Sequence, residues 1–148
     1  MLDMVEELEY LLSVLVMVVH IIQKEIGMFQ IDPLNRTPVY EQLIRQTERF
    51  VLTGVFRPLE QVPSVRALSV ELGINPNTIQ KAYSQMEASG ILQSVPGKGR
   101  FVTEKAKDII GKQRREQLDI LREKLKEFSV AGITRAEIEE CLDSVYGE

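Results

Sequence analysis

The sequence has little that could hold a metal or a disulfide: one cysteine, Cys141, and one histidine, His20, among 148 residues. A single cysteine excludes an internal disulfide framework and suits a reducing compartment, the cytoplasm. The same scarcity excludes a conventional His/Cys metal centre, and no metal or other cofactor is implied. No serine, cysteine or carboxylate pair has a plausible catalytic partner, so the chain does not read as an enzyme. A membrane-spanning run is also missing. The apolar stretch LLSVLVMVVHII covers Leu11 to Ile22, 12 residues, against the roughly 20 that cross a bilayer. The residues before it are acidic, the wrong sign for a secretory leader.

What is present is the composition of a soluble globular protein, with 44% hydrophobic and 27% charged residues. The net charge of -4 looks unsuited to an anionic partner until it is divided by region. Residues 1–27 carry one base and five acids; residues 104–148 carry nine bases and eleven acids. Residues 36–103 carry eight bases against five acids, a local excess of +3. That excess is modest, and it falls in the segment where the motifs below place nucleic-acid contacts.

Four segments follow one another. Residues 1–27 form an apolar extension, and Met28 opens a second, more ordinary protein beginning. Two accounts stay open: a start at Met28 with a non-native extension, or an amphiphilic helix that packs on a partner or touches a membrane surface. The second segment starts at Thr37-Pro38, read as an N-cap followed by proline at the first helical position. Tyr40, Leu43, Ile44, Thr47, Phe50 and Val51 recur at helical spacing as a core face, and Gly54 ends the helix. The following RPLEQVPS reads as a short strand and a turn.

The third segment carries the strongest signal. Ser64 caps a short helix to about Leu72, Gly73 makes a tight turn, and Asn75 caps a second helix with Pro76 at its first position. Leu68, Leu72, Ile74, Ile79 and Ala82 face inward, and Ser69 is the small residue where the two helices cross. This is the pattern of a helix-turn-helix. After Gly90, the strands ILQSV and RFV flank PGKG, a hairpin with Lys98 at its tip, and a hairpin in that place is a wing. The predicted fold is therefore mainly α with a small β-hairpin wing: a winged helix-turn-helix over residues 28–103, followed by a short two-helix tail over 104–148.

In the tail, one helix is expected from about Glu104 to Phe128, with Leu118, Leu121, Leu125 and Phe128 on one stripe. Thr134 to Glu137 has the form of a capping box with an Ile133–Ile138 staple, and Ile138, Leu142 and Val145 continue the last stripe. Two short amphipathic helices cannot bury both stripes alone, so these seven apolar residues are assigned to homodimerisation; folding back onto the winged domain is the alternative. Cys141 borders the stripe and is read as a small core residue.

The chain resembles the GntR family of bacterial transcription regulators, and within it the short YtrA-type subgroup. The resemblance rests on Pro63-Ser64-Val65-Arg66, Asn75-Pro76-Asn77-Thr78 and Gly97-Lys98-Gly99-Arg100-Phe101-Val102, within about residues 36–103. Arg100 stands where the family usually has threonine, a change expected to add a wing contact to phosphate or minor groove. Val62 replaces a usual leucine. The resemblance implies a dimeric repressor of a nearby operon, often one for a transporter. It also implies double-stranded DNA with a two-fold operator as partner. No effector is indicated.

The first turn of a recognition helix enters the major groove. By position, Asn77, Thr78, Gln80 and Lys81 are the base-facing candidates; Arg66 matches a family position that contacts DNA. Ser64 and free backbone N–H groups near Asn75 suit phosphates, and Lys98, between Gly97 and Gly99, can approach the minor groove or the backbone closely. Each polar residue could instead lie on a solvated face, the reading given to Ser84 and Gln85. The rival function is a winged helix that binds protein, held near a membrane by the Leu11–Ile22 run.

Overall fold

A computed structural model describes residues 3–147, apart from the side chains of residues 20 and 22–26. The His20 side chain and the end of the apolar run at Ile22 thus lie outside the described residues. The elements in order are α1 (Met4–Ile26), α2 (Val39–Thr53), α3 (Val65–Leu72), α4 (Pro76–Ala88), β1 (Leu92–Val95) and β2 (Gly99–Val102). They are followed by α5 (Ala106–Glu116), α6 (Leu118–Val130) and α7 (Arg135–Tyr146). The chain divides into two compact units, residues 1–110 and 111–148.

The first unit is a winged helix-turn-helix. Leu43, Leu68, Ile79, Ala82 and Met86 of the three central helices are buried with Ile91, Leu92 and Val102 of the hairpin. Ala106 and Ile110 of α5 join the same core. β1 and β2 pair antiparallel, with Leu92 opposite Val102 and Ser94 opposite Arg100. Leu92 and Val102 turn inward while Gln93 and Ser94 stay exposed, so the hairpin is held by one apolar face.

The capping chemistry sets the turn. Ser64 Oγ accepts from the Ala67 N–H at 3.0 Å, and Asn75 Oδ1 accepts from the Asn77 N–H at 2.9 Å. Between them Gly73 has φ +64, a left-handed conformation that glycine adopts without a Cβ clash. Ser69 Oγ donates to the Ile74 carbonyl at 2.6 Å, closing the turn from within.

At α2 the cap differs from the expectation. Pro38, not Thr37, occupies the capping position, and its carbonyl accepts from the Glu41 and Gln42 N–H groups. Thr37 is tied elsewhere: its N–H donates to Asn35 Oδ1 and its carbonyl accepts from Gln42 Nε2. The RPLEQVPS strand reduces to an isolated bridge between Gln61 and Phe101. Leu59, at φ +65, breaks the extended backbone before Gln61, and Pro63 prevents its continuation afterwards.

Residues 28–32 lie along α2. Gln46 Oε1 accepts from the Gln30 N–H, Gln42 Oε1 accepts from the Asp32 N–H, and Gln42 Nε2 donates to the Asp32 carbonyl. Phe29 is thereby buried against Phe50 and Phe56, with ring centroids 5.2 and 6.3 Å away. Most large apolar side chains of α1 are exposed. Among the described residues, no helix is long and apolar enough to cross a membrane.

In the second unit the expected long helix is interrupted at Gln117. Its N–H bonds the Arg114 carbonyl three residues back, a tightened turn that separates α5 from α6. The capping box of α7 is present: Thr134 Oγ1 accepts from the Glu137 N–H, and Glu137 returns to the Thr134 N–H at 2.8 Å. Those hydrogen bonds from Thr134 hold the Glu137 carboxyl below the usual carboxylate range. No residue of α6 or α7 is buried. Cys141 is exposed, which corrects its assignment to a core, because one copy of this unit encloses no core around it.

Candidate nucleic-acid interface

On α4 the 3.6-residue period divides two faces. Ile79, Ala82, Tyr83 and Met86 are buried, while Asn77, Gln80, Lys81 and Ser84 form the exposed stripe opposite. The packing of α4 on α2 and α3 therefore presents polar side chains along one side of the recognition helix. Tyr83 fixes that rotation: its Oη donates to the Pro63 carbonyl at 2.8 Å, tying α4 to the loop before α3. Burial holds the Tyr83 phenol well above its ordinary range, so it stays a neutral donor.

Ser64, Arg66, Gln80, Gly99 and Arg100 line a single cleft of about 310 Å³ between the start of α3, the exposed side of α4 and β2. Residues far apart in sequence thus meet on one surface. Asn75 and Asn77 are exposed at the start of α4, Thr78 is half-buried, and Gly97 and Lys98 stand exposed at the hairpin tip. Arg66 is exposed and, among the described residues, makes no ion pair or side-chain hydrogen bond.

Besides the caps Ser64 and Asn75, three candidates, Lys81, Arg100 and Gln80, are already engaged within the chain. Lys81 Nζ lies 3.7 Å from the centroid of the Tyr40 ring on α2, a cation–π contact. Arg100 turns back onto α4: its Nε is 3.0 Å from Glu87 Oε1, and a terminal nitrogen donates to Gln80 Oε1 at 3.2 Å. Glu87 and Ser94, whose hydroxyl donates to the same carboxylate oxygen, were not singled out from the sequence. Glu87 lies seven residues after Gln80, two turns along the same helix stripe, and Arg100 spans the gap between them. The side of the hairpin that meets it depends on packing.

The N–H groups of the first turn of α4, expected to be free, are not. Pro76 has none, the Asn77 N–H goes to the Asn75 side chain, and the Thr78 N–H goes to the Asn75 carbonyl. At α3 the Ser64 side chain takes only the third N–H, from Ala67, and the Leu68 N–H takes the Ser64 carbonyl. The groups suited to a phosphate therefore lie at α3, not α4.

The wing tip depends on a glycine. Gly99 has φ +119, and a Cβ there would stand 2.6 Å from Gln61 Nε2, which donates to the Lys98 carbonyl at 2.8 Å. Gly99→Ala is expected to lower stability by about 1–3 kcal/mol through the strained backbone and to loosen the hairpin. Thermal melting together with amide exchange at Val95 and Lys98 measures both effects.

The family model for bacterial regulatory proteins of the gntR family matches residues 39–102. The HTH-type transcriptional repressor YtrA of Bacillus subtilis is 34% identical over 122 residues, covering 80% of this chain and 92% of that protein. The chain belongs to the GntR family. Within that family it is of the YtrA type, and it is a DNA-binding transcription regulator. Among solved structures, a GntR family transcriptional regulator from Listeria monocytogenes is 28% identical, with a TM-score of 0.64. The match covers 77% of this chain and 98% of that one. YtrA from Sulfolobus acidocaldarius, a GntR-family transcription factor, is 26% identical, with a TM-score of 0.57. There the match covers 68% of this chain and 99% of that one. The relatives are transcription regulators rather than enzymes.

Proposed function

We propose that this GntR regulator is a cytoplasmic repressor that binds a two-fold operator as a homodimer and controls a neighbouring operon, one for a transporter. The observation that carries the DNA side is the cleft that brings Ser64, Arg66 and Gln80 beside the exposed stripe of α4. In this scheme Arg66, Asn77 and Gln80 meet base edges, with Thr78 and Lys81 beside them. Ser64 sits at the start of α3 next to a phosphate, Asn75 caps the turn of α4 that enters the groove, Gly97, Lys98 and Gly99 form the wing contact, and Arg100 backs Gln80 from β2. Residues 28–110 are the DNA-binding domain, since the expected boundary at 103 leaves out Ala106 and Ile110 of its core, and residues 111–148 are the dimerisation tail. Repression is supported by the name of the Bacillus subtilis relative.

Dimerisation through the tail is supported by its exposed apolar stripes. Leu118, Leu121 and Leu125 on α6, and Leu142 and Val145 on α7, are all exposed; Phe128 and Ile138 are half-buried. A helix with one unpartnered apolar stripe gains by pairing, and two joined recognition helices occupy two half-sites with added avidity.

Retention on duplex DNA that falls steeply with salt, together with footprints over two half-sites on the promoter of its own gene, is the expected result. Binding that ignores salt, or a footprint over one half-site, contradicts it. Within this scheme Lys98→Ala is expected to weaken all sequences about equally and to make the salt slope shallower by about one. A loss confined to the specific operator would assign Lys98 to sequence readout instead.

A further inference from the structure

The Arg100 guanidinium is mostly covered, with its side chain 22% exposed, and it bridges two residues of the recognition helix. It pairs with Glu87 through Nε and donates to Gln80 Oε1 through a terminal nitrogen. It also lies over the Tyr83 ring, 5.5 Å from its centroid. Glu87 is itself steadied by the Ser94 hydroxyl, and Ser94 stands directly opposite Arg100 in the hairpin. On its other side the Gln80 amide nitrogen donates to Ser84 Oγ at 3.1 Å.

A free glutamine amide can turn over and exchange its oxygen and nitrogen at little cost. Gln80 cannot do so here. Arginine has only donors, so the amide must present its oxygen to Arg100, which leaves its nitrogen facing Ser84 and solvent. An oxygen that already accepts from a cation is a weaker acceptor for a second bond, while the N–H on the same amide becomes a stronger donor.

We propose that Arg100, anchored by Glu87, is a positioning residue for base readout. It fixes the Gln80 amide so that α4 offers an N–H donor at this place and selects a base edge that accepts, such as purine N7 or thymine O4. The wing thus acts on specificity through the recognition helix. The inference rests on Gln80 being a base-contacting residue.

The test uses the full chain and duplexes that the unmodified protein selects from a pool randomised over roughly two helical turns. Affinities are then measured for each single base-pair substitution. Gln80→Ala is expected to cut discrimination at one base pair per half-site by about ten-fold. Arg100→Thr should cut it at the same base pair by a similar factor, with preferences elsewhere and the salt slope unchanged. The double variant should lose nothing beyond Gln80→Ala.

If Arg100→Thr weakens all duplexes alike and makes the salt slope shallower by about one, Arg100 contacts phosphate and the proposal is overturned. If Gln80→Ala lowers discrimination and Arg100→Thr does not, Gln80 reads the base but Arg100 does not position it. If Gln80→Ala changes no preference, both ideas fall. Melting curves accompany each variant. Should Arg100→Thr unfold the wing, Glu87→Gln, which leaves Arg100 in place without its charged anchor, carries the same expected loss at the same base pair.

Discussion

Leu125→Asp is expected to leave the regulator monomeric and to weaken binding to a two-half-site duplex by about 100-fold or more. Leu125 is the most covered leucine of the α6 stripe at 36% exposure, and Leu118, Leu121 and Phe128 lie along the same side. In one copy an aspartate at that place meets water and costs little. In a dimer sealed by these stripes it would bury an unpaired carboxylate in each copy, at a cost of several kcal/mol. Sedimentation reports the oligomeric state, and titration of duplexes with one and two half-sites separates avidity from contact. The single half-site affinity should hardly change, and melting of the winged domain should stay within about 0.5 kcal/mol of the unmodified protein. A dimer that survives the substitution would place the interface elsewhere.

Arg66→Ala is expected to lower operator affinity about ten-fold and to erase preference at one base pair per half-site. The free protein gives this arginine no charged partner to lose: it is exposed on the first turn of α3. A cation there opposes the helix dipole at a cost of about 0.3–1 kcal/mol. Removing it should therefore leave stability unchanged or slightly raised. A drop in affinity with a rise in melting temperature is the signature of a residue kept for its ligand. An unchanged footprint and affinity would remove Arg66 from the interface. Arg100 makes the contrast: its guanidinium is already spent on Glu87 and Gln80 within the chain.

The two arginines also show where sequence reasoning reaches its limit. Both stand in family motifs, and the resemblance alone points both toward DNA. Arg66 follows a serine cap by two residues, so the local helix dictates that it projects from the first turn. Arg100 sits in a hairpin whose alternation tells which residues share a face, but not which neighbour that face meets. The same limit explains Lys81. Its place on the exposed stripe follows from the 3.6-residue period, whereas its contact with Tyr40 comes from a helix some forty positions earlier. The arm at residues 28–32 has no local signal, because Gln42 and Gln46 hold it across separations of 10 and 16 residues.

The winged helix-turn-helix, its starts at Ser64 and Asn75, the turn at Gly73 and the capping box at Thr134 were determined by the sequence alone. The caps, the turn and the box are each written in residues within four positions of one another, and the helices between them in the 3.6-residue period. The tertiary structure alone decided which polar groups remain open to DNA. It turned Arg100 onto Gln80, set Lys81 over Tyr40, and left Arg66 and Lys98 exposed. Hydrogen bonds and ion pairs between elements depend on how helix and hairpin pack, and that arrangement is a property of the whole core rather than of any short stretch.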